Sequence, residues 1–442
     1  MTREATDTLI LPIEIAAREL DGKLLLSLFA LRKGMRVILG PRQAVDVPHF
    51  GSAVYLAKNV RRSFILDRPE ALGYAIVALD EEGLVRFPDP VQALRLETRA
   101  LQLPRLLYAW GRDNAQYWKG LACCEGQTIL EVGNPRGDLL RPELRAFHAP
   151  EVKAIRERMG HFVLLNTNFS IVNHFRKGHT SFRRSSDANR DTFEHAWQGV
   201  SQHKRALMEH FLELIDPLAR AIHPHRVVVR PHPSEDPAPW IEAASRYPNV
   251  VVANNGGVVP WLLASSGLIH NGCTTAIEAA MLGVPSVAYR PVKSPEFDLE
   301  TANRFSTTAE CEPCTVDLAQ LMLRQSPAAM PQRDAQALSD LISSATGAFS
   351  GERIVASFAA YHDVLAEQRK APLARRMRAT ARMIGDTISG CSLERRYNRH
   401  IFPSMSPDAV VDRLERLGST VGNVPPVRIR PVANQVLSLE AA

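Results

Sequence analysis

Along the first third of the chain, short runs of consecutive apolar residues alternate with longer stretches of helical spacing. The runs are TLILPIEI (8–15), MRVILG (35–40), AVYLA (53–57), YAIVAL (74–79), RLLYAWG (105–111) and QTILEVGN (127–134), with a helix predicted near residues 19–33. Runs that are brief, rich in Val, Ile and Leu, and apolar at successive positions suit inner strands of a parallel sheet, which are covered on both faces. Strands alternating with helices predict an α/β domain. The pattern restarts at HFVLLNTNF (161–169) and continues through RVVVRP, NVVVA, GLIHN and PSVAYR, the last ending at residue 290. Residues 133–160 between the two series are polar and helix-forming, as a connection between domains is. The expected division is therefore a Rossmann-like domain over 1–155, a second over 156–333, helices over 334–402, and a patternless tail over 403–442.

Two polar segments interrupt this pattern. Residues 170–192, SIVNHFRKGHTSFRRSSDANRDT, are basic and poorly periodic; a loop of that length inside a compact domain is a functional lid or a disordered segment. Residues 370–386, KAPLARRMRATARMIGD, form a basic helix with Met, Leu and Ile on one side. Such a helix lies on an anionic membrane surface through Arg375, Arg376, Arg378 and Arg382, or packs on its own domain.

Composition adds bounds. At 442 residues the chain exceeds the roughly 250–300 residues at which a single core stops growing, so two domains are expected. A hydrophobic fraction of 45% with 23% charged residues is that of an ordinary globular protein. The net charge of +6 suits an anionic ligand or surface. No basic stripe is interleaved with aromatics, which argues against nucleic acid as a partner. No apolar run approaches the roughly 18 residues of a membrane span, and the start MTREATDTLILPIEI lacks the order of a signal peptide, so a cytoplasmic location is expected. Cys311-x-x-Cys314 has no second pair at zinc spacing, so the six cysteines are expected to be thiols.

The chemistry concentrates at strand ends, where ligands gather in open α/β sheets. In VVVRPHPSED (227–236) proline stops the ladder, and Arg230, His232 and Pro233 make either a rigid turn or a binding loop. In GLIHNGCTTAIEA, Asn271 and Gly272 precede Thr274 and Thr275 at a predicted helix start. Gly272 permits close backbone approach, the threonines offer caps and hydroxyls, and a helix N-terminus attracts phosphate. Glu278, one turn further in, is placed to reach ribose hydroxyls or faces solvent. Asn166 and Asn168, after the first strand of the second series, are candidate donor contacts. In the first series, Asp80, Glu81 and Glu82 stand at a strand end before Gly83; Glu14, Arg18 and Glu19 surround another, facing a ligand or capping a helix that Asp21 would open. Asn134 and Arg136 in GNPRGD contact ligand or hold the domains together.

These motifs carry a resemblance. GCTTAIEAAMLGVPSVAYRP looks like the donor-binding segment of GT-B glycosyltransferases, and RPHPSE resembles the HP motif of bacterial sialyltransferases and Kdo transferases. LPIEIAARELDGKLLL, LDEEGL, YAWG, GNPRGDLLRPELR, LLNTNFS, RPHPSE and IHNGCTTAIEA together resemble the bacterial surface carbohydrate biosynthesis protein family, over roughly residues 7–292. The resemblance implies two Rossmann-like domains facing an interdomain cleft, the first for the acceptor and the second for the nucleotide sugar. It implies transfer of Kdo or a related acid from a CMP-sugar to a glycan or glycolipid of capsule or lipopolysaccharide. Glu81 or Glu82 would then be the general base, with Asp80 behind, and His232 would contact the departing phosphate. Asn166, Asn168, Arg230, Pro233, Asn271, Gly272, Thr274, Thr275 and Glu278 would bind the nucleotide, and Glu14, Arg18, Glu19, Asn134 and Arg136 the acceptor. No Asp-x-Asp metal site is present, so a reaction without metal or cofactor is expected. Competing readings are a UDP-sugar transferase or epimerase, a CDP-glycerol-type transferase, and a non-catalytic partner in polysaccharide assembly.

Overall fold

The computed structural model describes residues 7–45, 53–84, 95–176, 190–324, 332–366, 405–422, 425–433 and 435–442, together with positions 86, 92, 374, 377, 381 and 402. The chain forms two compact units, the first comprising Met1–Gly83, Leu96–Phe147 and Ser339–Ala442, the second Leu84–Arg95 and His148–Leu338. The break thus falls between Phe147 and His148 rather than near residue 155. The reason is packing: the helix Ala149–Met159 lies against the helix Val258–Ala264 of the second unit.

In the first unit, β1 (Thr8–Ile13), β2 (Arg36–Pro41), β3 (Val54–Ala57), β4 (Ala75–Leu79), β5 (Leu106–Ala109) and β6 (Thr128–Glu131) run parallel in the order β2-β1-β3-β4-β5-β6. Every residue of β1, β3, β4 and β5 is buried, which is why their sequences carry no polar alternation. The order changes direction between β1 and β3, and a crevice opens beyond the strand ends at such a point. The helix Ala16–Arg32 is buried over most of its length because the helices Ser350–Ala360 and Pro407–Val421 pack against it. A Cβ on Gly351 would stand 2.3 Å from the Phe29 ring, so glycine sets that approach.

In the second unit, β7 (Phe162–Asn166), β8 (Arg226–Arg230), β9 (Val250–Val252), β10 (Gly267–His270), β11 (Ser286–Tyr289) and β12 (Thr307–Ala309) are all parallel, in the order β12-β11-β10-β7-β8-β9. Here the direction changes between β7 and β10. Phe169 packs edge-on to Phe211 at 5.2 Å and stacks on Trp240 at 5.9 Å, beneath the loops that follow β7 and β8. Fully burying an aromatic or branched side chain stabilises by about 1.5–3 kcal/mol, so this cluster fixes the loops above it.

The C-terminal segment corrects the expectation of a patternless tail. β13 (Val427–Ala433) and β14 (Val436–Ala441) form an antiparallel hairpin, and β14 pairs antiparallel with β2, extending the first sheet to eight strands. The cue is the buried run Val436–Leu439, which covers an edge that β2 would otherwise expose. No helix among the described residues is long and apolar enough to cross a membrane. The basic helix expected over 370–386, with Arg375, Arg376, Arg378 and Arg382, lies outside the described residues apart from isolated positions, as does the part of the polar loop over 177–189.

Candidate functional site

The end of β7 and the loop after β10 meet at the switch point of the second unit. Asn166 closes β7, and its amide donates to Thr275 Oγ1 at 3.1 Å and to Cys273 Sγ at 3.5 Å. Asn168 donates to the Gly272 carbonyl at 3.4 Å. Gly272 has φ +49° with Leu299 Cβ 3.3 Å from where its own Cβ would be, a left-handed residue in a tight place that favours glycine. The loop leads into the helix Thr275–Leu282. The expected cap is revised: Thr274 has helical backbone angles and makes no capping hydrogen bond, while the Thr275 hydroxyl is held by Asn166 and Cys273. Asn271 is likewise structural, because its buried amide donates to the Tyr289 carbonyl at 2.9 Å and ties β10 to β11.

His270 is a positioning residue that motif spacing does not reveal. Its Nδ1 accepts from the Cys273 amide at 3.5 Å and its Nε2 lies 2.8 Å from Ser306 Oγ. Burial, reinforced by the Lys204 charge, pushes its pKa down to about 3, so it is neutral.

The loop after β8 is organised by a second unanticipated residue, Glu235. This buried carboxylate accepts from the Thr167 hydroxyl (2.8 Å), the Phe169 amide (2.9 Å), the His232 amide (3.2 Å) and Trp240 Nε1 (3.1 Å). Burial raises its pKa and these four donors pull against the rise. Its cue is the Glu that follows Pro-Ser in RPHPSE. His232 is half-buried, and its Nδ1 accepts from the Ser234 amide at 3.1 Å, which places the proton of the neutral ring on Nε2. Pro233, beside it, is also half-buried. Arg230 revises expectation, being buried with its guanidinium donating to the carbonyls of Asn255 (3.0 Å) and Gly256 (2.5 Å), 5.5 Å over the Trp261 ring. Burial lowers its pKa to about 10, opposed by Glu278, so these two predicted residues do lie within electrostatic range.

The switch point of the first unit is built from ion pairs. Glu14 follows β1, Lys58 follows β3, the acidic triplet follows β4, and Asn134 and Arg136 follow β6; the helix Ala16–Arg32 adds Arg18, Glu19 and Lys23. Lys58 pairs with Glu14 (2.7 Å) and with buried Glu19 (2.5 Å). Glu19 also accepts from the amides of Glu14 (3.0 Å) and Ile15 (3.4 Å), the two residues before the helix. Burial raises the Glu14 pKa, but Lys58 outweighs it and holds the carboxyl at about 2.

Glu81 is buried rather than presented to a crevice. It pairs with Lys23 at 2.8 Å and with Arg136 at 3.6 Å, and accepts from Asn134 at 3.3 Å. Burial raises its pKa, yet Lys23 and Arg136 bring it to about 2, which makes it a poor base. Asp80 accepts the Glu82 amide at 3.2 Å, and its carbonyl accepts from Trp110 Nε1 at 2.6 Å, so it shapes the turn. Glu82 remains accessible, its side chain 30% exposed and paired with Arg18 at 2.7 Å and Arg61 at 3.7 Å. Asn134 and Arg136 support Glu81, since the Asn134 side chain also accepts the Arg136 amide at 2.8 Å.

Cys311 and Cys314 form a disulfide, where thiols were expected. Among the described residues, no group of three or more His, Cys, Asp or Glu is placed to hold a metal ion.

No family model matches the chain, so the surface-carbohydrate family remains a resemblance of motifs, and no curated protein matches it either. Solved structures do. The wall teichoic acid polymerase TagF is 12% identical over 82% of this chain and 90% of that one, with a TM-score of 0.48. A UDP-GlcNAc 2-epimerase from Methanocaldococcus jannaschii, in complex with UDP-GlcNAc and UDP, is 14% identical over 78% of this chain and 82% of that one, with a TM-score of 0.42.

Proposed function

We propose that the chain is a glycosyltransferase of the GT-B type in surface-polysaccharide biosynthesis, taking its sugar from a nucleotide donor whose phosphate is held by the second unit. The observation that carries this reading is the convergence of Asn166, Asn168 and the Gly272–Thr275 loop at the switch point of a parallel sheet. The free end of the helix Thr275–Leu282 attracts negative charge. His232, in the HP loop after the neighbouring strand β8, has an Nε2–H to donate to a departing phosphate.

Transfer also needs a base for the incoming hydroxyl. Glu82 fills that role better than Glu81, because Glu81 is enclosed with Lys23 and held near the bottom of the carboxylate range. Glu14 is held equally low by Lys58. The HP loop favours a CMP-sugar, with Kdo or a related acid transferred to a glycan or glycolipid acceptor, and protein donors meet the leaving-group charge without a metal.

Incubation with CMP-Kdo and with UDP-sugars, measuring free nucleotide, tests the activity, and calorimetry with CMP, UMP and UDP tests the donor. CMP is expected to bind tighter than UDP; the reverse order would assign a uridine donor. Absence of binding to all three, with no nucleotide released, would overturn the reading. His232→Ala should slow transfer roughly 10- to 1000-fold, and an unchanged rate would remove this histidine from the mechanism.

A further inference from the structure

Lys204 stands in the middle of the helix Arg190–Glu213 and is 3% exposed. Among the described residues its ammonium makes neither a hydrogen bond nor an ion pair, and the centroid of the Phe169 ring lies 5.9 Å from Nζ. The acidic groups around it are engaged elsewhere. Glu235 accepts from Thr167, Phe169, His232 and Trp240. Asp298 is held by His203 at 2.8 Å and by Arg290 at 2.7 Å. A buried cation with no ion-pair partner is costly unless it neutralises or gains a counter-charge, and an anionic ligand would supply that charge.

The surroundings say where that charge would sit. Phe169 belongs to the loop after β7, and the Lys204 charge acts on His270 and Cys273 at the end of β10, beside the N-terminus of the helix Thr275–Leu282. Resting on the reading that the second unit holds a phosphate-bearing donor, we propose that Lys204 is the counter-ion of that phosphate, approaching it from the protein interior while the Thr275–Leu282 N-terminus and His232 approach from the loops. A consequence concerns protons. Burial pushes the Lys204 pKa below the usual lysine value, and Cys273, Asp298 and Glu235 only partly restore it. An anion placed beside the ammonium raises that pKa again, so phosphate binding takes up a proton at alkaline pH.

The test is calorimetry on the full chain with CMP, cytidine and inorganic phosphate, in two buffers of different ionisation enthalpy at about pH 9, comparing wild type with Lys204→Met and Lys204→Arg. Wild type should take up protons with CMP and not with cytidine. Lys204→Met should lose that uptake and weaken CMP roughly 10- to 100-fold, the size of a lost hydrogen bond to a charged group, with cytidine binding unaltered. Lys204→Arg should keep more of the affinity than Lys204→Met. Phosphate binding alone that depends equally on Lys204 would make free phosphate a ligand of the same subsite and supports the assignment. Wild-type CMP binding without proton uptake, or equal CMP affinity in Lys204→Met, would overturn it while leaving the donor reading intact. Failure of wild type to bind CMP, UMP or UDP would instead remove the donor reading on which it rests.

Discussion

At the switch point of the first unit, Lys58 meets Glu14 and Glu19, Lys23 meets Glu81, and Arg18 meets Glu82, so each of these cations has a carboxylate at ion-pair distance. At the switch point of the second unit, Asn166, Cys273 and Thr275 form an uncharged network, and buried Lys204 has no carboxylate at that distance among the described residues. Two sheets of one architecture therefore use charge differently. In the first, opposite charges balance within the chain and fix the shape of the loops. In the second, the Asn166–Thr275 contacts and the Glu235 carboxylate with its four donors hold the loops, and Lys204 is left without an ion-pair partner among the described residues, the charge that the proposed phosphate would balance.

The contrast can be broken most sharply at Glu81. Glu81→Gln leaves Lys23 buried without its partner and should destabilise the first unit by about 3–5 kcal/mol, read from the denaturant midpoint. Lys23→Met combined with Glu81→Leu should recover much of that loss; if Glu81→Gln is no less stable than wild type, the pair is not a structural tie. Glu82→Gln tests the neighbouring carboxylate, which is accessible. Turnover should fall roughly 100-fold with stability and CMP affinity nearly unchanged, and full activity would place the base elsewhere.

Acidification should next separate the loops after β1 and β4 from the loop after β8. Glu14 and Glu81 both sit at about 2 against an ordinary 4.5, so the unfolded chain protonates first. Their contribution is present above about 4.5 and is lost as pH falls towards 2. Glu235 in the second unit has the opposite sign: its pKa is raised, so its contribution is present below the unfolded value and lost as pH rises through the folded one. Hydrogen exchange at about pH 3 should show amides around β1 and β3 losing protection before those around β7 and β8. The smallest effect is expected at Thr274, whose side chain caps nothing. Thr274→Ala should change stability by less than about 0.5 kcal/mol, below the usual loss for a helix cap, while lowering CMP affinity.

The strands of both units were legible because a buried parallel strand must be apolar at successive positions, and few other structures ask for that in so short a run. The strand-end motifs were legible for a related reason, since Pro231 and Pro233 fix the backbone wherever they fall and Gly272 admits a left-handed turn that other residues resist. Burial of individual charges was not. Glu81 and Glu82 are adjacent in a symmetric acidic run, yet a partner distant in sequence, Lys23, encloses one and leaves the other in reach of solvent. Lys204 reads as one cation on a polar helix face, because its isolation depends on Phe169, Glu235 and Asp298 being elsewhere engaged. The C-terminal hairpin escaped notice because β13 is largely exposed and β14 has only four buried positions to announce it.

That hairpin bears on the order in which the chain can fold during synthesis. β2 is made before most of the second unit, but its outer neighbour β14 only after the whole of it. Until then one edge of the nascent sheet carries unpaired amides and carbonyls, a template for other growing chains. The second unit, whose strands β7 to β12 all lie within one continuous stretch, has no such wait. Protein arrested just before Val436 should therefore hold a finished second unit and a first unit with an open β2 edge, so interruption there should yield aggregation rather than a shortened but dispersed product.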